Sequence, residues 1–211
     1  VEAAQRKNCF RAGPYGIYSI SAYNTSGADY AEMFEWLDGN PENQDRTGMF
    51  VTLDGEKIRI AKPDDDFILG IISGNSSEVG DVHDDQWKGM HETDIFGRPI
   101  FEMREFPAEI RTILRPDGTE ENIEITPAQT RNIPKLNSNY NREEKYAPRS
   151  ERPEWDAVGM MGKLVALDDG SCEVNGWCQV GTGGIAIKSE TRTRYRVMAR
   201  LDDTHIRILI M

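Results

Sequence analysis

Short stretches of alternating apolar and polar residues recur along the chain, and each predicts a half-buried strand. Ile206, Ile208 and Ile210 alternate with His205 and Arg207, and Ile58 and Ile60 alternate with Lys57 and Arg59. Turn residues separate such stretches. Asp54-Gly55 divides 49–53 from 56–60, Asp117-Gly118 divides 110–114 from 123–125, and Asp202-Asp203 divides 195–201 from 205–211. Residues 67–73 form an apolar run expected as a buried strand, and 163–167 predict another. No amphipathic helical pattern persists beyond three turns, and no internal repeat is present. The expected fold is mainly β: a hairpin-rich β domain with short helical pieces.

Composition narrows the class. The 211 residues are 38% hydrophobic, enough for a core. Acidic residues outnumber basic ones 36 to 25, for a net charge of −11, which argues against nucleic-acid or anionic-membrane partners. No apolar run approaches the ~20 residues of a membrane-spanning helix, and no signal-peptide pattern opens the chain. The first residue is Val1, so the chain reads as a piece of a longer one.

Three cysteines, Cys9, Cys172 and Cys178, are an odd and low count that points to free thiols. Asn175-Gly176 predicts a two-residue hairpin pairing Val174 with Trp177 and sending Cys172 and Cys178 to opposite faces. Asp81, His83, Asp84, Asp85, His91 and Asp94 cluster in sequence but read as a solvated loop, so no metal is expected. Gly159-Met-Met-Gly-Lys163 lacks the spacing and the following Ser or Thr of a phosphate loop, so no cofactor is expected either.

One local pattern carries chemistry. Asp29 and Glu32 stand beside a polar turn at 24–27, where composition changes from the Gly, Ser, Tyr and Ile richness of 10–23. Spacing alone makes them ordinary surface carboxylates. Read as a strand, the segment puts Tyr30, Glu32, Phe34 and Trp36 on one face and Asp29 on the other. Glu32 among aromatics would then be desolvated, favouring its neutral form. Read as a helix, Ser26 and Asp29 make a capping box and Asp29 and Glu32 are neighbours.

Several separated blocks together resemble a known family: Ser26-Gly-Ala-Asp-Tyr-Ala-Glu-Met-Phe-Glu-Trp36, Phe50-Val-Thr-Leu-Asp-Gly-Glu-Lys-Ile58, Asp66-Phe-Ile-Leu-Gly70, Glu151-Arg-Pro-Glu-Trp155 and Val158-Gly-Met-Met-Gly-Lys-Leu164. They are similar to the autoproteolytic intramolecular chaperone domain at the C-terminus of phage tail spikes and neck appendages, classed with the glutamic peptidases. The resemblance implies a homotrimer that follows the upstream spike body of the same chain. It implies a virion tail-appendage precursor, assembled in the bacterial host cytoplasm, that cuts itself once at Ala28–Asp29. Asp29 would attack the Ala28 carbonyl or position a water, and Glu32 would act as general base or acid. Ala28 stands where the family can carry Ser, so a hydroxyl nucleophile is unavailable there.

The implied division is 1–28 as the end of the spike body, 29–136 as the first β part of the chaperone domain, 137–154 as an extended linker or arm, and 155–211 as a C-terminal β part. A permanent, non-enzymatic trimeric receptor-binding or tip module of a tail fibre is the alternative reading. A carbohydrate-binding domain is a third.

Overall fold

A computed structural model describes the backbone of residues 10–13, 16–19, 25–82 and 89–211, and the side chains of 25–82 and 89–211. The chain divides into two units, one made of residues 1–82 and 149–211 and the other of residues 83–148. In the first unit lie β1 (Phe10–Gly13), β2 (Gly16–Ser19), β3 (Asp29–Glu35), β4 (Phe50–Asp54), β5 (Lys57–Ile60), β6 (Gly70–Ile72) and β7 (Glu78–Gly80). The second unit carries β8 (Phe101–Phe106), β9 (Glu109–Leu114), β10 (Glu120–Thr126) and β11 (Gln129–Pro134). The chain then returns to the first unit with β12 (Trp155–Leu167), β13 (Trp177–Val180), β14 (Ala186–Ser189), β15 (Tyr195–Arg200) and β16 (His205–Ile210). Two 3-10 turns, Arg149–Glu151 and Thr182–Gly184, are the helical pieces among the described residues.

The long strand β12 is the spine of the first unit. It pairs antiparallel with β16, β3 and β6, so strands from both ends of the sequence share one sheet in the order β14-β13-β15-β16-β12-β6-β4-β5. The linear division into a part ending at 136 and a part starting at 155 is therefore crossed by the sheet itself. Alternation explains the core. Ile206, Ile208 and Ile210 of β16 are all but sealed and pack with Phe50, Ile71, Leu164, Val197 and Tyr195. A second cluster gathers Trp36, Val51, Ile58, Leu69, Ile72 and Val158.

Three local expectations change on inspection. The strand in 67–73 is confined to Gly70–Ile72, while Phe67 is exposed. The β4–β5 turn is centred one residue later than Asp54-Gly55, because Asp54 pairs with Lys57 and Gly55 takes a positive φ of 64° as the first turn residue. The Asn175-Gly176 turn forms, with Asn175 at φ 68°, but makes no hairpin. Asn175 N–H bonds Val197 O instead, and β13 pairs with β14 and β15. Cys172 and Cys178 are both buried and free, and Cys178 Sγ donates to Tyr195 O. Cys9 lies outside the described residues.

In the second unit, β8 pairs with β11 and β9 with β10 to make one long two-stranded ribbon. Pro107-Ala108 on one strand and Pro127-Ala128 on the other interrupt the ladder at the same level, since proline supplies no N–H. Gly118 turns the tip at φ 81°. Asp94 is engaged by Arg98 and bridges no metal cluster among the described residues. His83, Asp84 and Asp85 lie outside the described residues.

Candidate active site

β3 begins at Asp29, and its alternation decides which carboxyl is buried. Asp29, Ala31 and Met33 face inward, while Tyr30, Glu32 and Phe34 are half-buried on the other side. The register Val158↔Glu32 and Gly159↔Ala31 against β12 fixes the segment as a strand, which removes the helical alternative. Asp29 is only 4% exposed, and Ala28 beside it is exposed. The peptide between them thus joins an accessible residue to a buried acid.

β12 is irregular where it meets this peptide. Its register against β3 shifts between Gly159 and Met161, a bulge of the kind that re-aims backbone near functional sites. Gly162 pairs with Asp29 of β3 and with Ile210 of β16, so one residue belongs to both ladders. It has φ +102°, and a Cβ there would collide with Ala28 O. A Cβ on Gly159 would lie 2.7 Å from Asp29 Oδ2 and would strike Leu164. These two glycines let β12 run close against the 28–29 peptide.

The other side is closed by residues 73–77. Ser77 donates twice to Asp29 O, from its N–H and its hydroxyl, each at 2.8 Å. Lys163 N–H donates to Ala28 O at 3.2 Å. Ser76 Oγ donates to Ser73 Oγ at 2.9 Å, and the two hydroxyls act to lower the pKa of the nearby Asp29 carboxyl. Burial nevertheless pushes that carboxyl above the usual aspartate range, the serine hydrogen bonds offsetting only part of the effect. Asp29 Oδ2 is buried with no hydrogen-bond partner among the described residues. The peptide borders a cleft of about 580 Å³ lined by Ser26, Ala28, Asp45, Ser73, Asn75 and Lys163 among others, with His205 also contributing. His205 Nδ1 is engaged by Asp202 at 2.8 Å.

The structure separates the two predicted carboxylates. Glu32 leaves the opposite face of β3, where its Oε1 accepts the Tyr30 hydroxyl at 2.6 Å and Gly80 of β7 lies against it. The sealed carboxyl is that of Asp29. On this face Glu32 is half-buried, as are Tyr30 and Phe34, while Trp36 further along is fully buried.

Sequence reasoning missed Ser73, Ser76, Ser77 and the Lys163 amide. The two glycines in an otherwise β-patterned segment were the available signal, because glycine inside a strand marks a bulge or a close backbone approach.

Comparison with known proteins identifies the family. The family model Peptidase_G2, the IMC autoproteolytic cleavage domain, matches residues 12–202. The pre-neck appendage protein of Bacillus phage B103 is 34% identical over 156 residues, covering 71% of this chain and 16% of that protein. The putative phage-related protein YobO of Bacillus subtilis (strain 168) is 33% identical over 151 residues, covering 70% of this chain and 16% of that protein. Among solved structures, the pre-mature bacteriophage phi29 gene product 12 superposes with a TM-score of 0.68 at 24% identity, over 92% of this chain and 23% of that one. The phi29 gene product 12 C-terminal fragment gives 0.62 at 25% identity, over 86% of this chain and 99% of the fragment. The chain spans 16% of the length of the B103 and YobO proteins that it matches.

Proposed function

This chain belongs to the Peptidase_G2 family of IMC autoproteolytic cleavage domains, and from that premise we propose that it is the self-cleaving chaperone end of a phage or prophage neck appendage or tail spike, cutting its own Ala28–Asp29 bond after three copies assemble. The observation that carries the reading is the junction of exposed Ala28 with the sealed Asp29 carboxyl, gripped on both sides by backbone hydrogen bonds.

The chemistry follows from the atoms present. Asp29 Oδ2, ionised and free of hydrogen-bond donors, attacks the Ala28 carbonyl carbon and closes a six-membered ring. The C–N bond to Asp29 breaks, and the departing nitrogen takes a proton from a Glu32 carboxyl. Water then adds to the Ala28 acyl group, releases the Asp29 carboxylate and returns a proton to Glu32. Asp29 and Glu32 of one chain point to opposite faces of β3, so the proton donor for each bond is Glu32 of a neighbouring chain. That requirement makes cleavage wait for assembly. One turnover suffices, so ~5 kcal/mol of barrier lowering, several thousandfold in rate, is enough. Cutting separates residues 1–28, the end of the spike body, from the domain that starts at Asp29.

Mass spectrometry of the purified chain tests this. We expect a new N-terminus at Asp29 in the wild type and none in Asp29→Asn or Glu32→Gln. Mixing the two inactive variants within one trimer restores cutting of those chains that keep Asp29 and sit beside a chain that keeps Glu32. An intact wild-type trimer that persists for days supports the non-enzymatic tip module instead.

A further inference from the structure

The carbonyl oxygen of Ala28 has a donor of its own. Lys163 N–H reaches it at 3.2 Å, from a point in β12 just past the bulge and just past the positive-φ Gly162. We propose that the Lys163 backbone amide is a catalytic group: it holds the oxyanion that forms on Ala28 O when the carbonyl carbon becomes tetrahedral. The inference rests on the Ala28–Asp29 reading above and adds the electrophilic half of that site.

Three features support it. The ground-state distance is long for an amide hydrogen bond and lies just outside the ~2.7–3.1 Å at which donors meet a developing oxyanion, so a small shift of oxygen toward nitrogen strengthens the bond as charge appears. The donor is fixed, because Gly162 on its N-terminal side is locked into both the β3 and β16 ladders. The approach is specific to glycine, since a Cβ at position 162 would occupy the place of Ala28 O. Ser77, with two donors on Asp29 O, anchors the next peptide along, so Asp29 is held in place while the Ala28 carbonyl moves on attack.

The step balances with the Asp29 carboxylate as nucleophile and the Glu32 proton, assigned above, for the departing nitrogen. The Asp29 carboxylate electron pair forms the new C–O bond and the carbonyl π pair moves onto Ala28 O. The amide N–H of Lys163 stabilises that charge without giving up its proton. When the C–N bond breaks, the pair returns to re-form the carbonyl.

Replacing Lys163 by its α-hydroxy acid in the full chain exchanges the amide for an ester, which removes this donor, keeps the side chain and weakens only the Gly162 carbonyl as an acceptor besides. We expect assembly of the trimer and cleavage about 10²–10³-fold slower. An ester chain that assembles and cuts within about threefold of wild type overturns the proposal. Slow cutting by the ester chain together with normal cutting by Asp29→Asn keeps the amide's role and removes the carboxyl assignment instead. If the ester chain does not assemble, the infrared carbonyl stretch of 13C-labelled Ala28 in uncut Glu32→Gln protein decides. A stretch lowered by hydrogen bonding, and raised again by Gly162→Ala, sustains the proposal, whereas an unbound frequency in the Gly162 protein refutes it.

Discussion

Two strands of nearly matching pattern meet opposite fates in this chain. β16 reads His-Ile-Arg-Ile-Leu-Ile and β9 reads Glu-Ile-Arg-Thr-Ile-Leu. In β16 the isoleucines are between 0% and 2% exposed. In β9, Ile110 is 59% exposed and Leu114 72%. The difference lies in what covers each strand. β16 lies between β12 and β15 in a sheet that closes a core, whereas β9 has β10 alone as its partner in its sheet. Opposite Ile110 stands Glu124, and opposite Leu114 stands Glu120, so each face of the ribbon mixes apolar and charged side chains. Alternation specifies a strand in both places, and burial needs a second layer that only one of them has. An isolated two-stranded ribbon is marginal in water.

The covered strand is the more sensitive of the two. Ile208→Ala removes a fully buried side chain from β16 and should cost about 2–5 kcal/mol, through lost transfer energy and the cavity left behind. Urea unfolding of the uncut Glu32→Gln protein measures it as a lower midpoint at unchanged slope. A loss close to zero would mean that β16 does not seal this core.

A second effect contrasts a buried acid with exposed ones. Burial raises the Asp29 pKa above its value in the unfolded chain. At a pH below the ordinary aspartate range the group is neutral in both states and carries no penalty. As pH rises toward the raised value, the unfolded chain releases its proton first and the folded state loses stability; above that value the deficit is constant. In the Glu32→Gln background, Asp29→Asn should therefore gain melting temperature relative to its parent as pH rises from the acid range to neutrality. A gap that shrinks over that range contradicts the burial argument. On the proposed mechanism the acid limb of cleavage reports the same group, since the attacking carboxylate must be ionised: on that limb the rate should climb with pH through the raised pKa, and it falls again where the acid that protonates the leaving nitrogen loses its proton.

Much of this could be read from the residues alone, and the failures share one cause. The hairpins at 195–210 and around Gly118 were legible because their turns and alternation are local. The β3 segment could be either strand or helix until the register of Val158 against Glu32 settled it, and that pairing spans most of the chain. Ser77 was invisible because a serine in a polar stretch carries no sign that its two donors will meet Asp29, 48 positions earlier. The Asn175-Gly176 turn was read correctly as a turn and wrongly as a hairpin, because β15, a distant partner, captured the Asn175 amide. Asp29 and Glu32 were picked out by family resemblance. Their opposite faces follow from strand alternation, which was itself one of the two readings open at the outset.

The exposed ribbon side chains matter least to the single chain. Leu114→Ala and Ile110→Ala alter side chains that are already in water, so each should change the chain's own stability by no more than about 0.5 kcal/mol. If the ribbon gains its missing layer from other copies of the chain, those substitutions act on association. Sedimentation of the Glu32→Gln protein across a dilution series should then show the trimer dissociating at higher protein concentration in Leu114→Ala than in its parent. In the wild-type background the same change should slow cleavage at low concentration and spare it at high concentration, because a donor on the neighbouring chain is lost when the trimer falls apart. A ribbon variant that leaves both dilution curves unmoved would place the contacts of the proposed trimer elsewhere, leaving the exposed leucine and isoleucine without a structural purpose in assembly.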